Sequence, residues 1–284
     1  MRILLIGANG MLGRDILRQW PDDELIAADV QDADIRNREQ VRQLLARAKP
    51  DWIILTAAYT DVDGAEKNPE LAHAVNATGT ENVARAAREF GARLFYISTD
   101  YVFDGTASRP YEISDPVHPI NVYGVSKAAG EAAVQKYAEQ WCIGRTAWLF
   151  GALGASFPER ILQASTTRTE LKVVADQVGS PTFTRDLASA IFTLVRVDAR
   201  GIFHITNAGS CSWMEFAAEV LRQAGRDSVQ VLPITTAEAG RHAQRPLFSL
   251  LSPAGLHARG IHLRNWKDAL AVYLEDLRQA GKLA

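Results

Sequence analysis

The chain has 284 residues, of which 47% are hydrophobic and 23% are charged, and its formal net charge is −2. This balance can bury a sizeable core, and it gives neither the basic surface that binds nucleic acid nor a polybasic segment that anchors a protein to a membrane. The sequence has two cysteines, Cys142 and Cys211, so no disulfide framework is predicted. Its six histidines lack the spacing of a catalytic zinc site.

The first predicted element is a short apolar strand, Ile3 to Ile6, which leads directly into Gly7-Ala-Asn-Gly10-Met11-Leu12-Gly13. The strand is too short for the apolar core of a signal peptide, so we expect the protein to be cytoplasmic. Glycines permit a tight turn and a close backbone approach. A helix beginning near Gly10 would direct its free N–H groups and positive dipole end at a pyrophosphate. This G-x-x-G-x-x-G stretch therefore predicts a dinucleotide-binding turn.

A second apolar run, Leu25 to Ala28, ends in Asp29. An acidic side chain at this position is placed to accept hydrogen bonds from an adenosine ribose. The carboxylate would repel a 2′-phosphate and so favour NADH, whereas Arg14, Arg36 and Arg38 could offset that repulsion. The choice between NADH and NADPH stays open at this stage.

Two further stretches are expected to line the cofactor. Asp34-Ile35 is a candidate for the adenine pocket, although Asp34 could instead cap the helix predicted from about Asn37 to Ala48. A third strand, residues 51–56, runs into Ala57, Ala58, Tyr59 and Thr60. Small residues at the carboxyl end of a parallel strand let a ligand lie against the backbone. A long helix, Pro69 to Phe90, follows.

The candidate reactive groups come after the fourth strand, residues 92–98. Thr99 and Asp100 follow that strand directly. The stretch from Pro119 to Glu131 is predicted to start a helix and carries Tyr123 and Lys127 four residues apart. That spacing places both side chains on one helical face. A lysine ammonium there would lower the pKa of the phenol from its ordinary value of about 10, which makes Tyr123 a candidate general acid. The alternative is a solvated helix face with one packed ring.

Five segments occur in the order and with the spacing of one known family. They are Gly7-x-x-Gly10-x-x-Gly13, Ser98-Thr-Asp-Tyr-Val-Phe103, Tyr123-x-x-x-Lys127, Arg145-Thr-Ala-Trp148 and Asp176-Gln-Val-Gly-Ser-Pro-Thr182. The sequence resembles the extended short-chain dehydrogenase/reductase family and, within it, the dTDP-4-dehydrorhamnose reductases. The resemblance covers most of the chain. It implies reduction of dTDP-4-dehydro-β-L-rhamnose to dTDP-β-L-rhamnose, in dTDP-rhamnose biosynthesis, with NADPH or NADH as the hydride donor and dual use expected.

The resemblance also implies roles for individual residues. Tyr123 would donate the proton, Lys127 would lower its pKa and bind the nicotinamide ribose, and Thr99 would bind the keto oxygen. Asp100 and Trp148 would contact the sugar, and Arg245 would pair with the substrate diphosphate unless it forms a surface salt bridge. The residues that would line the dinucleotide are Gly7, Gly10, Met11, Leu12, Gly13, Asp29, Asp34, Ile35, Ala57, Ala58, Thr60, Tyr123 and Lys127.

The predicted fold is α/β, a doubly wound parallel (Rossmann) sheet with a small C-terminal substrate-binding lobe. Residues 1–150 should form the dinucleotide-binding domain with six or seven strands. Residues 151–284 should form mainly the lobe, with some segments returning to the sheet. In that part we expect helices near 157–166, 184–197, 212–224 and 265–279, and short strands near Lys172 and at 201–205.

Other functions fit the same scaffold. A dehydratase would have Asp-Glu after the threonine, whereas Asp100 is followed by Tyr101, and an epimerase usually lacks the Ser-Thr-Asp-Tyr-Val-Phe segment, so both are disfavoured. Reduction of another keto sugar nucleotide stays open. A non-catalytic role also stays open, because the regulatory subunit of methionine adenosyltransferase resembles this family.

The expected partner is a small-molecule sugar nucleotide, and the family resemblance allows a homodimer. Some family members bind magnesium at a dimer contact through carboxylates. Asp15 offers one carboxylate on the first helix, but no partner ligands are evident, so no metal site is predicted.

Overall fold

Strands and helices alternate along most of the chain in the computed structural model, which describes residues 1–20 and 24–283. The strands are β1 (Arg2–Ile6), β2 (Glu24–Ala28), β3 (Trp52–Leu55), β4 (Arg93–Thr99), β5 (Trp141–Thr146), β6 (Leu149–Phe150), β7 (Glu170–Val174), β8 (Val178–Gly179), β9 (Thr182–Phe183), β10 (Gly201–His204), β11 (Cys211–Ser212) and β12 (Gln230–Ile234). The helices are α1 (Met11–Gln19), α2 (Arg38–Ala48), α3 (Val62–Lys67), α4 (Pro69–His73), α5 (Thr80–Glu89), α6 (Val122–Tyr137), α7 (Phe157–Ala164), α8 (Thr184–Arg196), α9 (Trp213–Gln223), α10 (Thr236–Ala239), α11 (Ala254–His257) and α12 (Trp266–Gln279).

The main sheet has six parallel strands in the order β10-β5-β4-β3-β1-β2. The chain begins at β1, adds β2 on one side and then continues from β3 on the other. The order therefore reverses beside β1, and open α/β sheets bind ligands in the crevice at such a point. This arrangement confirms the predicted doubly wound parallel fold.

Alternate side chains of the sheet strands enter two separate cores. Ile3 and Leu5 pack on one face against α1 and α8, while Leu4 and Ile6 pack on the other against α2 and α5. Successive residues of a strand point to opposite faces, so a strand buried on both sides is apolar throughout. This explains why β1 has no polar–apolar alternation.

The sixth strand of the main sheet, β10, does not come from residues 1–150, where six or seven strands were predicted. Among the residues that the structure describes, five strands of the main sheet come from positions 1–150, and β10 comes from the part assigned mainly to the lobe. Helix α8 likewise packs on the sheet, because its Leu187, Ile191 and Leu194 are buried in the same core as Ile3. The chain thus returns to the sheet before it completes the lobe.

The remaining C-terminal elements form the lobe around an aromatic core. Phe150, Phe183, Phe216 and Tyr273 are buried together, and Phe150 has its ring centroid 5.4–5.5 Å from each of the other three. Three two-stranded sheets join β11 to β8, β12 to β7 and β6 to β9. The helices and strands expected in this region are confirmed, with ends that differ by at most two residues.

The helix predicted from Pro69 to Phe90 is interrupted. A π-helical turn, Ala74–Gly79, separates α4 from α5. Such turns commonly occur at functional sites. The turn directs the buried Asn76 side chain towards the loop that follows β3. In the described ranges, 1–20 and 24–283, no helix is long and apolar enough to cross a membrane.

Candidate active site

The glycine turn lies at the reversal point of the sheet. Gly7 has φ +93°, and a Cβ there would lie 2.5 Å from the Ala57 nitrogen, so this position requires glycine. A Cβ at Gly13 would collide with the Gly7 and Ala8 carbonyl oxygens, so Gly13 lets α1 pack closely on β1. Gly10 is the N-cap of α1, and the first turn of that helix carries neither a capping side chain nor an acidic residue. Its N–H groups are therefore oriented for an anion.

Asp29 lies directly beside this turn. Its Oδ2 accepts a hydrogen bond of 2.9 Å from the Asn9 backbone N–H, and its Oδ1 accepts one of 2.8 Å from Val30 N–H. The structure therefore brings the predicted ribose-binding carboxylate to the predicted pyrophosphate turn.

The Asp34-Ile35 pair has a different setting. Asn37, not Asp34, caps α2, because its side chain accepts hydrogen bonds from the N–H groups of residues 39 and 40. Asp34 forms an ion pair with Arg36 at 2.6 Å, and this hydrogen-bonded partner lowers the pKa of the carboxyl. Ile35 is buried and packs against Gly79. The alternative in which Asp34 caps the helix is wrong, and a place for this pair in the adenine pocket stays a prediction.

The loop after β3 forms the opposite wall of the crevice. Ala57 and Ala58 are half-buried, Thr60 is exposed, and the loop is held by Asn76. The Asn76 side chain accepts from Tyr59 N–H at 2.8 Å and donates to the Tyr59 carbonyl at 3.0 Å and the Ser126 hydroxyl at 2.9 Å. Asn76 thus ties the cofactor loop to the helix that carries Tyr123, a role that local sequence patterns do not reveal.

Thr99 and Tyr123 meet in the crevice. Thr99 ends β4, and Tyr123 lies in the first turn of α6, whose N-cap Asn121 accepts from Gly124 N–H at 2.7 Å. The Thr99 side chain lies beside the Tyr123 hydroxyl. Burial is the largest effect on Tyr123 and raises its pKa to about 12, while the Thr99 hydroxyl opposes the shift. The predicted lowering of this pKa is wrong for this structure, because burial outweighs the favourable contacts.

Lys127 is buried one turn further along α6 and directs its ammonium towards the sheet. Its Nζ donates to the Ile97 carbonyl at 2.7 Å and lies 4.1 Å from the centroid of the Tyr96 ring. Burial lowers its pKa to about 7, and the Glu131 charge acts in the opposite direction. At neutral pH Lys127 therefore exchanges readily between its charged and neutral forms.

Asp100 is fully buried beside Thr99. Its Oδ1 accepts from the Thr99 hydroxyl at 3.0 Å, and burial raises its pKa to about 6. The nearby Ser249 hydroxyl opposes this shift, and Oδ2 is buried without a hydrogen-bond partner among the described residues. A perturbed carboxyl in a cleft is a common feature of functional sites.

Trp148 and Arg245 flank this group. Trp148 follows β5, whose Thr146 is the register partner of Thr99, and it has φ +46°. β5 ends at Thr146, two residues before this left-handed conformation. Arg245 forms an ion pair with Asp63 at 2.9 Å. This contact matches the salt-bridge alternative, and a contact of Arg245 with a diphosphate stays a prediction.

A buried ion pair beneath the site was not identified from the sequence. Arg145 donates to Glu131 through Nε at 2.9 Å and Nη2 at 2.7 Å, and the Ser98 hydroxyl donates to the same carboxylate at 2.5 Å. Glu131 follows Lys127 by four residues on α6, and Ser98 precedes Thr99 on β4. The position of Glu131 one turn after Lys127 was the available sequence signal.

Asp15, the carboxylate considered for a metal, is buried against α8. Its Oδ2 accepts a hydrogen bond of 2.5 Å from the Thr184 hydroxyl, and burial raises its pKa. Within the residues that the structure describes, no group of three or more His, Cys, Asp or Glu side chains could hold a metal ion.

The reversed strand order, the glycine turn at the reversal and the Thr99–Tyr123–Lys127 group together define an oxidoreductase of the short-chain dehydrogenase/reductase class with a Rossmann sheet. Comparison with known proteins gives the family. The family model described as RmlD substrate binding domain matches residues 1–279. The chain belongs to this RmlD family of sugar-nucleotide reductases, which confirms the resemblance in the sequence motifs.

Individual relatives align over nearly their whole length. The spore coat polysaccharide biosynthesis protein SpsK of Bacillus subtilis is 37% identical, with 98% of this chain and 99% of that protein covered. The crystal structure of a dTDP-4-dehydrorhamnose reductase from Clostridium acetobutylicum is 43% identical, with a TM-score of 0.95 and coverage of 98% and 100%. The dTDP-4-dehydrorhamnose reductase of Bacillus anthracis, solved in complex with NADP, is 39% identical, with a TM-score of 0.94 and coverage of 97% and 99%.

Proposed function

We propose that this protein reduces dTDP-4-dehydro-β-L-rhamnose to dTDP-β-L-rhamnose, and that it uses both NADPH and NADH. The observation that carries the proposal is the convergence of Thr99 at the end of β4 with Tyr123 and Lys127 on α6, in the crevice that the glycine turn borders. Membership of the RmlD family and the relatives that are named as this reductase support the choice of substrate.

The residues at the reversal point fit a nicotinamide dinucleotide. The turn at Gly7 leaves no room for a side chain, which suits a pyrophosphate against the backbone, and the start of α1 presents free N–H groups. We propose that Asp29 contacts the adenosine ribose and that Lys127 contacts the nicotinamide ribose, for which its ammonium must turn from the Ile97 carbonyl. When bound, the reduced cofactor supplies the hydride. Since Asp29 disfavours a 2′-phosphate while a relative was solved in complex with NADP, we expect both forms to be used.

Residues of this chain would donate the proton to the keto oxygen and stabilise the negative charge that develops on it. Tyr123 donates a proton to this oxygen as negative charge develops there. The Thr99 hydroxyl donates a hydrogen bond to the same oxygen, for which it must turn from Asp100 Oδ1. A pKa of about 12 keeps Tyr123 protonated before reaction, as a donor must be. Lys127, buried one turn further along the same helix, would act by holding the nicotinamide ribose in place.

The sugar nucleotide would bind between the sheet edge and the lobe. We propose that residues 1–150 hold mainly the cofactor and residues 151–284 mainly the sugar nucleotide, with Asp100 and Trp148 against the sugar. A contact of Arg245 with the diphosphate would require Arg245 to share or leave its ion pair with Asp63.

Turnover of defined substrates tests the proposal. The protein is mixed with NADPH or NADH and dTDP-4-dehydro-β-L-rhamnose, and cofactor oxidation is followed by absorbance at the reduced nicotinamide band. The same assay with the UDP-linked keto sugar is the control for the nucleotide. Faster turnover of the dTDP sugar supports the proposal. Preference for another keto sugar nucleotide corrects the substrate, and no turnover of any keto sugar overturns the catalytic assignment in favour of a regulatory role.

A further inference from the structure

Trp148 is held in a strained backbone conformation. Its φ of +46° is rare for a bulky aromatic residue, and such strain persists only where the surroundings enforce it. Its indole stacks on Trp213 of the lobe with a centroid distance of 3.6 Å and an interplanar angle of 8°. One face of the Trp148 ring is therefore fully covered.

Gly179 covers the opposite face. A Cβ built on Gly179 would lie 2.6 Å from Cε2, 2.7 Å from Nε1 and 2.8 Å from Cζ2 of Trp148. Cε2 lies between the other two atoms in the ring and is the nearest, so the approach is over the ring face and not along its edge. Because Trp213 occupies one face, the Gly179 backbone occupies the other, and the partly exposed indole has its edge left for contact with a ligand.

The motif Asp176-Gln-Val-Gly-Ser-Pro-Thr182 holds this sandwich together. Buried Gln177 accepts a hydrogen bond of 3.1 Å from Trp213 Nε1 and donates one of 2.9 Å to the Thr236 hydroxyl. Asp176 in turn accepts hydrogen bonds from the backbone N–H and the hydroxyl of Thr236 at 2.7–2.9 Å. The same short segment thus supplies Gly179 for one face of Trp148 and orients the tryptophan that covers the other.

We propose that Gly179 and Trp213 are specificity-determining residues, which clamp the two faces of the Trp148 indole so that its edge meets the sugar ring of the substrate in one orientation. The inference rests on the proposed function, because it places the sugar of a sugar nucleotide at Trp148. Because the Trp148 side chain is already held in one rotamer, it loses no further rotamer freedom when a substrate binds. It should therefore bind most tightly those sugars whose shape fits the fixed edge of the indole. The affinities for the nucleotide part of the substrate and for the dinucleotide cofactor should not depend on Gly179 and Trp213.

The test uses Gly179→Ala, whose methyl group must displace the indole, and Trp213→Leu, which removes the stack. The KM for the keto sugar nucleotide should rise by roughly tenfold or more in each variant, with a smaller change in kcat, as expected when a substrate contact is lost. Calorimetric affinity for dTDP alone and for NADPH should stay at the wild-type value. Trp213→Phe keeps an aromatic ring on the same face and should restore most of the sugar affinity.

Gly255→Ala is the matched control, because the nearest atom to a Cβ there is 4.0 Å away and that position is helical. It should leave all constants unchanged. If the KM of Gly179→Ala for the keto sugar nucleotide equals that of the wild type, the proposed role of Gly179 and Trp213 is refuted. An equal loss of affinity for dTDP and for the keto sugar nucleotide would refute it as well. Absence of keto sugar turnover by the wild-type protein would instead reject the proposed function, so the two failures can be told apart.

Discussion

The buried pair of Arg145 and Glu131 allows a stability prediction that depends on tertiary structure alone. Both side chains are 2–3% exposed, and they are joined by two hydrogen bonds of 2.7 and 2.9 Å. Removing one partner leaves the other charge buried without its counter-ion. Such a loss costs about 3–5 kcal/mol, whereas replacing both partners by apolar side chains of similar volume is often neutral or stabilising. Arg145→Met and Glu131→Leu should each lower the free energy of unfolding by about 3–5 kcal/mol.

The double variant distinguishes the free energy lost by breaking the ion pair from that lost by changing the side-chain packing. If the two charges matter mainly to each other, the combined Arg145→Met and Glu131→Leu variant should unfold within about 2 kcal/mol of the wild type, far from the sum of about 6–10 kcal/mol. Urea unfolding followed by tryptophan fluorescence, with equal slopes for all variants, gives these differences. The Arg145 Nη1 atom has no hydrogen-bond partner, which adds to the reasons why an apolar replacement is tolerated.

A surface pair provides the control. Arg222 pairs with Glu219 at 2.6 Å but its side chain is 64% exposed, so Arg222→Met should not change the unfolding midpoint measurably. A double variant at the buried pair that loses the full sum of the single losses would refute the reasoning. Single variants that lose no more than the Arg222 control would refute it as well.

The other predictions concern the reaction, the cofactor and pH. Tyr123→Phe removes the proton donor and should lower kcat by roughly 10²–10⁴-fold with NADPH affinity nearly unchanged. Thr99→Val removes one hydrogen bond and should lower kcat less. Normal turnover by Tyr123→Phe in steady-state kinetics would contradict the assignment. Asp29→Ala should raise the kcat/KM ratio of NADPH to NADH, and an unaltered ratio would mean that Asp29 does not contact the ribose. The pKa of Lys127 is lowered from its ordinary value of 10.5 to about 7, so the unfolded chain binds this proton more tightly and stability should fall as the pH decreases from about 10.5 to about 7. Lys127→Met should weaken that dependence in denaturation curves, and an identical pH dependence would show that Lys127 is not buried in this way.

Much of the fold and part of the candidate site could be predicted from the sequence because these features are local. An apolar strand followed by glycines and a helix encodes the turn at Gly7, since backbone freedom and helix N–H groups depend on neighbouring residues. The four-residue spacing of Tyr123 and Lys127 fixes one helical face. Thr99 could be placed near them because parallel strands end at one edge of a sheet. The family motifs added the substrate class that these local rules do not contain.

Tertiary structure decided the features that depend on burial and on distant partners. Tyr123 and Lys127 have the predicted spacing, yet burial raises the pKa of one to about 12 and lowers that of the other to about 7, the opposite of what their spacing alone suggests for the tyrosine. Arg245 pairs with Asp63, which is 182 residues earlier in the sequence, and β10 joins the sheet from the C-terminal half. The two faces of Trp148 are covered by Gly179 and Trp213, which lie 31 and 65 residues later in the sequence. Desolvation and contact between distant segments arise only when the chain is packed, so residue spacing determines which groups share an element while packing determines their charge and their partners.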